Sequence, residues 1–489
     1  MMSAKGEAQL LRMLTDQNPW WASGRVPDVL APPFRRRDFH VLRGELSTER
    51  ITAVVGPRQV GKTVLLYQTI QDVLAVDRKN PRNVLFLAMD FPQMQTGGGD
   101  AVTAALDVYS ERIVATPWRE LKDTCYVFLD EIAKLPDWDR ILKGWYDRKL
   151  PLKFVISDSS NSAVRHGIET SLVGRCDVQL VLPMKFVDVL MFHEGREDYN
   201  DVSLSLRKAF AQSVEKGSPD GLLRALRLAS GQLAPFERRV KSRLQQYLYT
   251  GGYPEFLRVE DLNLAGRRLR EYVDLIFARD LLRFFDVRNP KALSAMVGLI
   301  ADQTGQRFDY ATLAKNVNLS PQVVREYLDY LESVLVVTRS EFWTKSRASR
   351  VRKQRKLYMA NAALANGLTG NVGPQVLHEP SYFGRLIETV VADHALRLLF
   401  VMNPGQSPDL FYWRNYRGQE VDVVLQLGKR AIPLEVKYQE QVTPADRRPV
   451  IDFIEEEKSA PFGIMVTKDD LGVSDDVVAI PLFLFLLLA

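Results

Sequence analysis

Residues 51–67 read Ile51-Thr-Ala-Val-Val55-Gly56-Pro57-Arg58-Gln59-Val60-Gly61-Lys62-Thr63-Val64-Leu65-Leu66-Tyr67. Five apolar or β-branched residues predict a buried strand, G-x-x-x-x-G-K-T follows at once, and the amphipathic run from Val64 opens a helix. Strand, glycine loop and helix in that order form a phosphate cradle. The glycines let the backbone curl so that its N–H groups converge on one phosphate group, and the helix N-terminus adds positive potential. On this reading Gly56, Pro57, Arg58, Gln59, Val60, Gly61, Lys62, Thr63 and Val64 bind ATP. Lys62 reaches the β/γ oxygens and Thr63 offers its hydroxyl to Mg²⁺. The ordinary alternative, a glycine-rich turn with a surface lysine, does not explain the strand before it or the helix after it.

A second stretch agrees with the first. Cys125-Tyr-Val-Phe-Leu129-Asp130-Glu131 is an apolar run ending in two acids, and open α/β sheets place catalytic groups at such strand tips. Asp130 is expected to hold Mg²⁺ through water, and Glu131 to orient or deprotonate the attacking water. A nucleotide kinase needs no such water-activating acid, so small-molecule phosphoryl transfer is disfavoured. Taken alone, Asp-Glu would equally suit a helix N-cap. Two weaker elements follow. Phe154-Val-Ile-Ser157-Asp158-Ser159-Ser160-Asn161 ends another strand in polar side chains, either a γ-phosphate sensor or a Ser/Asn turn. Arg175, after Gly174, is either an arginine finger acting across the subunit boundary of a homo-oligomer or the partner of a surface acid.

The whole chain has 489 residues, 46% hydrophobic and 26% charged, which is globular and long enough for several domains. Two cysteines, Cys125 and Cys176, and five scattered histidines, His40, His166, His193, His378 and His394, argue against a disulfide scaffold or a zinc cluster. Cysteine poverty, an N-terminus without a long apolar core and no span of bilayer length predict a cytoplasmic protein with no membrane partner. The apolar tail Ala479–Ala489 is about half the length of a membrane span and reads as a buried strand or helix.

Five expected segments follow. Residues 1–50 form an arm carrying Asn18-Pro19-Trp20-Trp21 and Arg35-Arg36-Arg37. Residues 51–190 alternate strands (51–55, 84–89, 126–129, 154–157, 178–182) with helix-length segments, which predicts a parallel sheet. Residues 191–301 have helical, Leu-rich spacing interrupted by Gly251-Gly252-Tyr253-Pro254. Residues 302–360 and 361–489 complete the chain. The fold class expected is therefore α/β, with a P-loop core, a helical middle, a winged helix and a C-terminal α/β domain.

The order GPRQVGKT, VFLDE, a polar strand tip, then Ser171-Leu-Val-Gly174-Arg175 and Leu182-Pro-Met-Lys-Phe186 resembles the AAA+-related P-loop ATPases of archaea and bacteria. Tyr249-Thr-Gly-Gly-Tyr-Pro-Glu255 and Ala278-Arg279-Asp280-Leu281 are similar to "GGYPE" and "RDL" signatures of the same proteins. Their usual T-G-S strand tip is Ser157-Asp158-Ser159 here. The resemblance spans roughly residues 10–440 and implies an ATPase core joined to a C-terminal domain of unknown function.

Downstream lie two further constellations. A helix over 308–318, the turn Asn318-Leu-Ser320, a helix opened by Ser320-Pro321 and the strand 334–337 suggest a winged helix, whose second helix carries Gln322, Arg325 and Asp329 on its surface. The segment 345–356 then holds seven basic residues and no acid in twelve positions, more than the whole-chain charge of +5. Arg325, Lys345, Arg347, Arg350, Arg352 and Lys353 are the expected contacts to nucleic acid, DNA in the first instance. The alternatives are a protein-binding winged helix and a solvated wing. Finally, Glu388 on a helix over 386–399, Asp422 on a strand over 421–426, and Glu435-Val-Lys437 on the next strand resemble the PD-(D/E)XK nuclease core. There Asp422 and Glu435 would hold Mg²⁺, Lys437 would help activate water, and Glu388 would be the extra upstream acid. The competing reading is surface charges on an exposed sheet face, or an inert grip. Together these features point to an ATPase coupled to nucleic-acid binding, with metal-dependent cleavage as its furthest extension, or to a nucleotide-controlled switch whose C-terminal domain binds a partner protein without chemistry.

Overall fold

The computed structural model describes residues 4–96, 100–159, 161–276, 281–282, 285, 287–346, 350, 353–371, 379–403 and 409–489. The chain divides into two compact units, Met1–Pro183 and Met184–Ala489.

The first unit is built on five parallel strands, β1 (Ile51–Val55), β2 (Val84–Ala88), β3 (Cys125–Asp130), β4 (Leu152–Asp158) and β5 (Cys176–Leu180), in the order β2-β3-β4-β1-β5. All five residues of β1 are buried, as expected where crossover helices cover both faces of a parallel sheet. The order sets β4 between the glycine-loop strand and the acid strand. In register, Val55 faces Asp158 of β4, and Ala88 faces Asp130 of β3.

The first fifty residues do not trail as an arm. They fold into the helices Ala4–Gln17, Trp20–Ser23 and Arg37–Glu45, and Leu14, Trp20 and Leu42 are fully buried. Their polar atoms close the open edge of β2. Asn18 Nδ2 donates to Phe86 O (2.9 Å), Asn18 Oδ1 accepts from Phe86 N (2.6 Å), Gln17 Oε1 accepts from Ala88 N (2.8 Å), and Trp20 Nε1 donates to Val84 O (3.0 Å). Residues 84, 86 and 88 share one edge of the strand, so this segment supplies the partners a sixth strand would otherwise bring.

The second unit opens with helices Phe186–Glu194, Asp198–Lys216, Asp220–Leu233, Glu237–Thr250, Leu262–Leu275 and Pro290–Asp302, the helical middle that the spacing predicts. Its sheet has nine strands: β6 (Arg307–Phe308), β7 (Val337–Phe342), β8 (Arg355–Met359), β9 (Leu410–Arg414), β10 (Glu420–Leu427), β11 (Arg430–Lys437), β12 (Gly463–Thr467), β13 (Gly472–Ser474) and β14 (Val477–Pro481), ordered β13-β14-β12-β11-β10-β9-β7-β8-β6. Because β7 pairs with β9 (Ser340 with Leu410, Phe342 with Tyr412), the strands of 302–360 and those of 361–489 belong to one sheet. Helix Pro380–Met402 packs on β10, and helix Pro444–Glu456 packs on β11. The apolar tail divides into the end of β14 and a helix, Leu482–Leu488, buried at every residue. Among the described residues no helix is long and apolar enough to cross a membrane.

Candidate functional site

The glycine loop has the backbone that its sequence asks for. Gln59 and Gly61 adopt left-handed φ values of 58° and 91°, and Gly61 caps the helix Lys62–Ala75. A Cβ on Gly56 would lie 1.8 Å from Val181 O, so no side chain fits where the loop leaves β1. Arg36, one of the basic triplet and 5% exposed, fastens the loop from outside. Its Nη1 donates to Val60 O (3.0 Å) and its Nη2 to Leu182 O (2.7 Å). No sequence motif marked that role. Gln68, one turn along the helix, donates to Pro32 O (2.6 Å) and Phe34 O (2.7 Å), which holds the N-terminal segment against it.

Lys62 is buried and donates from Nζ to Gly56 O (3.0 Å) and Pro57 O (2.9 Å). Burial lowers its pKa, while Glu131, Asp130 and Asp158 pull the other way. Thr63 Oγ1 donates to Asp130 Oδ2 at 2.7 Å. Asp130 is buried at the tip of β3 and also accepts from Ser157 Oγ at the tip of β4. Desolvation raises the Asp130 pKa, against the hydrogen bonds from Ser157 and Thr63. Glu131 takes the left-handed region (φ 54°) and accepts from Ser159 Oγ at 3.2 Å. It does not cap the short turn after it, Ile132–Lys134, with its side chain. Asp158 bonds that turn instead, accepting from Ala133 N at 2.7 Å. The carboxylate of Glu131 is thus held by Ser159, just past the end of β4, rather than spent on a turn.

The two hard oxygens of Thr63 and Asp130, one on the loop helix and one on β3, suit Mg²⁺, and the left-handed loop with its side-chain-free Gly56 suits a triphosphate. The tip Ser157–Ser159 lies between them on β4, although Ser160 and the side chain of Asn161 fall outside what the structure describes. Arg175 bonds Asp147 through Nε at 2.9 Å and is one-third exposed, the surface pairing weighed against a finger role.

In the second unit, Ser320 caps the helix Pro321–Ser333 and Asp309 caps the helix Tyr310–Asn316, with β6 and β7 flanking β8. Arg325 is exposed and lies 4.9 Å over the Tyr310 ring. The basic segment meets acids that no local reading of it shows. Lys345 pairs with Glu457 (3.0 Å), and Arg350 and Arg355 approach Glu341 (3.7 and 3.9 Å). Lys353 lies over the Phe342 ring. Arg347 and Arg352 fall outside the described residues, as do Ala278, Arg279 and Asp280. Gly251 and Gly252 are structural. A Cβ on Gly251 would strike Asn361 Oδ1, and Gly252 O accepts from Met184 N.

Glu388, Asp422, Glu435 and Lys437 do converge. Lys437 Nζ donates to Glu435 Oε1 (2.5 Å), the Val436 N–H donates to Asp422 Oδ2 (3.0 Å), and the Asp422 N–H donates to Glu435 Oε2 (3.3 Å). At their centre, however, stands a residue counted from sequence as part of the basic segment. Lys356 is 2% exposed, and its Nζ lies 2.9 Å from Glu388 Oε1, 2.7 Å from Glu420 Oε1 and 3.0 Å from Asp422 Oδ1. Tyr358 OH donates to Glu388 Oε1 at 2.6 Å. Burial, then the Asp422 charge, lifts Glu388 to about 7 and Glu435 to about 8. Among the described residues no set of three or more His, Cys, Asp and Glu is arranged to hold a metal ion.

Residues 48–190 match the family model described as AAA domain. Residues 241–375 and 383–485 each match a domain of unknown function, DUF8612 and DUF4143. An uncharacterized protein of Methanocaldococcus jannaschii is 23% identical over 417 residues, 84% of this chain and 79% of that protein. Uncharacterized proteins of Mycobacterium bovis and Mycobacterium tuberculosis are 28% identical over 452 residues, 91% of this chain and 83% of each. Among solved structures, a Walker-type ATPase of Pyrococcus abyssi aligns over 68% of this chain and 95% of its own, at 15% identity and a TM-score of 0.39. The family match over residues 48–190, on a parallel five-stranded sheet with its glycine loop after β1, gives the first unit an AAA-type P-loop ATPase fold.

Proposed function

We propose that this protein binds ATP with Mg²⁺ and hydrolyses it, and that its second unit binds nucleic acid, DNA in the first instance. The observation that carries the first half is the closed set around the loop. Thr63 meets Asp130 at 2.7 Å, Lys62 lies folded on the loop carbonyls, and Glu131 is held by Ser159 at the neighbouring strand tip. Mg²⁺, held by Thr63 and Asp130, would neutralise phosphate charge. Lys62 exchanges its two carbonyl acceptors for phosphate oxygens. Glu131 accepts the proton of the attacking water, and Ser157 and Ser159 keep the two acids apart in orientation. The test is ATP turnover by the full chain. Glu131→Gln should slow it 10²–10⁴-fold, the usual range for a lost general base, with ATP still bound. Lys62→Ala should weaken both steps. Turnover unchanged in both variants would defeat the assignment.

DNA binding rests on the capped helix pair beside β6, β7 and β8, with Arg325, Lys345, Arg350 and Lys353 as contacts and Arg347 and Arg352 as further candidates. A second reading, a nucleotide-controlled switch that grips a partner protein, is favoured by the acids that already pair with Lys345, Arg350 and Arg355. Salt dependence separates the two. DNA held by several phosphate contacts loses affinity steeply between 50 and 200 mM salt, and a flat dependence would leave the switch. Stimulation of turnover by one DNA form would tie the two halves together.

A further inference from the structure

The ammonium of Lys356 stands where the nuclease resemblance would place a metal. It sits on β8, fixed on both sides by strand pairing, opposite Arg307 of β6 and Ser340 of β7. The Lys356 ammonium donates hydrogen bonds to Glu388 Oε1 and Asp422 Oδ1 and forms a third ion pair with Glu420, all at 2.7 to 3.0 Å. The remaining oxygens of the Asp422–Glu435 pair are engaged as well. Asp422 Oδ2 takes the Val436 N–H, and Glu435 takes Lys437 and the Asp422 N–H. Arg307 adds a further cation, 3.3 Å from Glu420. Four carboxyl groups (Glu388, Glu420, Asp422, Glu435) thus face three cations (Lys356, Lys437, Arg307) without any bound ion. The walls are tight too. A Cβ on Gly305 would lie 3.2 Å from both Glu388 and Tyr358. Mg²⁺ demands near-octahedral oxygens at about 2.0–2.1 Å and usually keeps several waters, whereas here the Lys356 ammonium already stands within 3.0 Å of three of the carboxylates. To admit it, a buried ammonium would have to leave three carboxylates, and stripping one partner from a buried ion pair is strongly destabilising.

We propose that Lys356 is the resident cation of the Glu388–Glu420–Asp422 cluster, so that the second unit takes no divalent ion there and performs no metal-dependent cleavage. The cluster instead ties β8 to helix Pro380–Met402 and to β10, with four residues acting as a polar rivet. Two consequences follow from the same atoms. Lys356 is withdrawn from any phosphate-binding role of the basic segment, and Asp422 and Glu435 act as hydrogen-bonding anchors of β10 and β11 rather than as ligands.

The test uses the full-length protein without nucleotide, with Mn²⁺ as the probe ion, followed by calorimetry and by the spin-resonance signal of free Mn²⁺. Wild type should show no Mn²⁺ site that Asp422→Ala removes, and no Mn²⁺- or Mg²⁺-dependent nicking of plasmid or branched DNA. Lys356→Met frees three carboxylates at once and should gain one Mn²⁺ site, with affinity at least tenfold above any wild-type background and lost again in Lys356→Met/Asp422→Ala. A wild-type site abolished by Asp422→Ala, or nicking abolished by it, overturns the proposal. So does a folded Lys356→Met protein that gains nothing. Should Lys356→Met fail to fold, acylation footprinting of the wild type decides. Lys356 should label at less than a tenth of the rate of the exposed Lys345, unchanged by Mn²⁺, and labelling that rises with Mn²⁺ overturns the proposal.

Discussion

Replacing Arg36 by Met tests whether the glycine loop is held from outside the motif. The side chain is almost wholly buried, donates to Val60 O at 3.0 Å and Leu182 O at 2.7 Å, and lies 2.5 Å from Asp38. A hydrogen bond to a charged group contributes about 1.5–3 kcal/mol, so losing two costs about 3–6 kcal/mol. Burying the methionine in the same space recovers about 1–2 kcal/mol of that, and a net loss of about 3 kcal/mol of stability is expected. Val60 belongs to the loop itself, so part of the loss appears in nucleotide binding. Fixing one freed residue costs about 1–2 kcal/mol, which corresponds to roughly a tenfold rise in the ATP dissociation constant. Arg36→Lys, which can restore one bond, should fall between. The assays are denaturant unfolding and titration with a fluorescent ATP analogue. An Arg36→Met protein with wild-type stability and an ATP affinity within twofold of wild type would refute the reasoning, because the two carbonyls would then have been held by something else.

Two other outcomes are expected. Asn18→Ala strips a donor and an acceptor from the buried edge of β2 at Phe86 and removes the Asn18 bond to Leu14 O (2.7 Å). With each orphaned group costing about 1–3 kcal/mol, unfolding should be easier by about 3 kcal/mol, and aggregation through the bared edge should be visible by light scattering. His394 is fully buried, with Nδ1 against Val390 O at 3.0 Å, and burial pulls its pKa from 6.5 down to about 3. Between those values the unfolded chain binds the proton and the folded chain does not, so stability rises with pH across that window and is lost as pH falls toward 3. The slope from this one group is about 1.4 kcal/mol per pH unit. His394→Leu should remove that slope between pH 6.5 and 5 whatever it does at pH 7, and an unchanged slope would show that His394 does not remain neutral.

How far the sequence could be read depends on the distance over which each feature is decided. β1 runs from Ile51 to Val55 as its apolar run predicts, and the glycine loop and acid strand needed only their neighbours to be recognised, because the chemistry there is carried by consecutive residues. The capped pair of helices around Ser320 was equally legible, since caps act over three residues. What was misjudged lies in partnerships across the chain. Arg36 and Asn18 read as members of an arm because their partners Val60, Phe86 and Leu182 stand 24 to 146 residues away. Lys356 read as the last charge of a basic run because its three acids, at 388, 420 and 422, come from one helix and one strand not yet in view. Net charge along a segment measures what solvent would see only if every residue faces solvent. On β8 the alternation of a strand turns Lys356 inward while Arg355 stays part-exposed, so two adjacent basic residues with the same one-dimensional signal come to opposite uses. The same alternation explains why the carboxylates of β10 and β11 could be found from sequence while their cation could not. Glu420 and Asp422 stand together on β10, whereas the cation that answers them sits three strands away on β8, beyond β9 and β7.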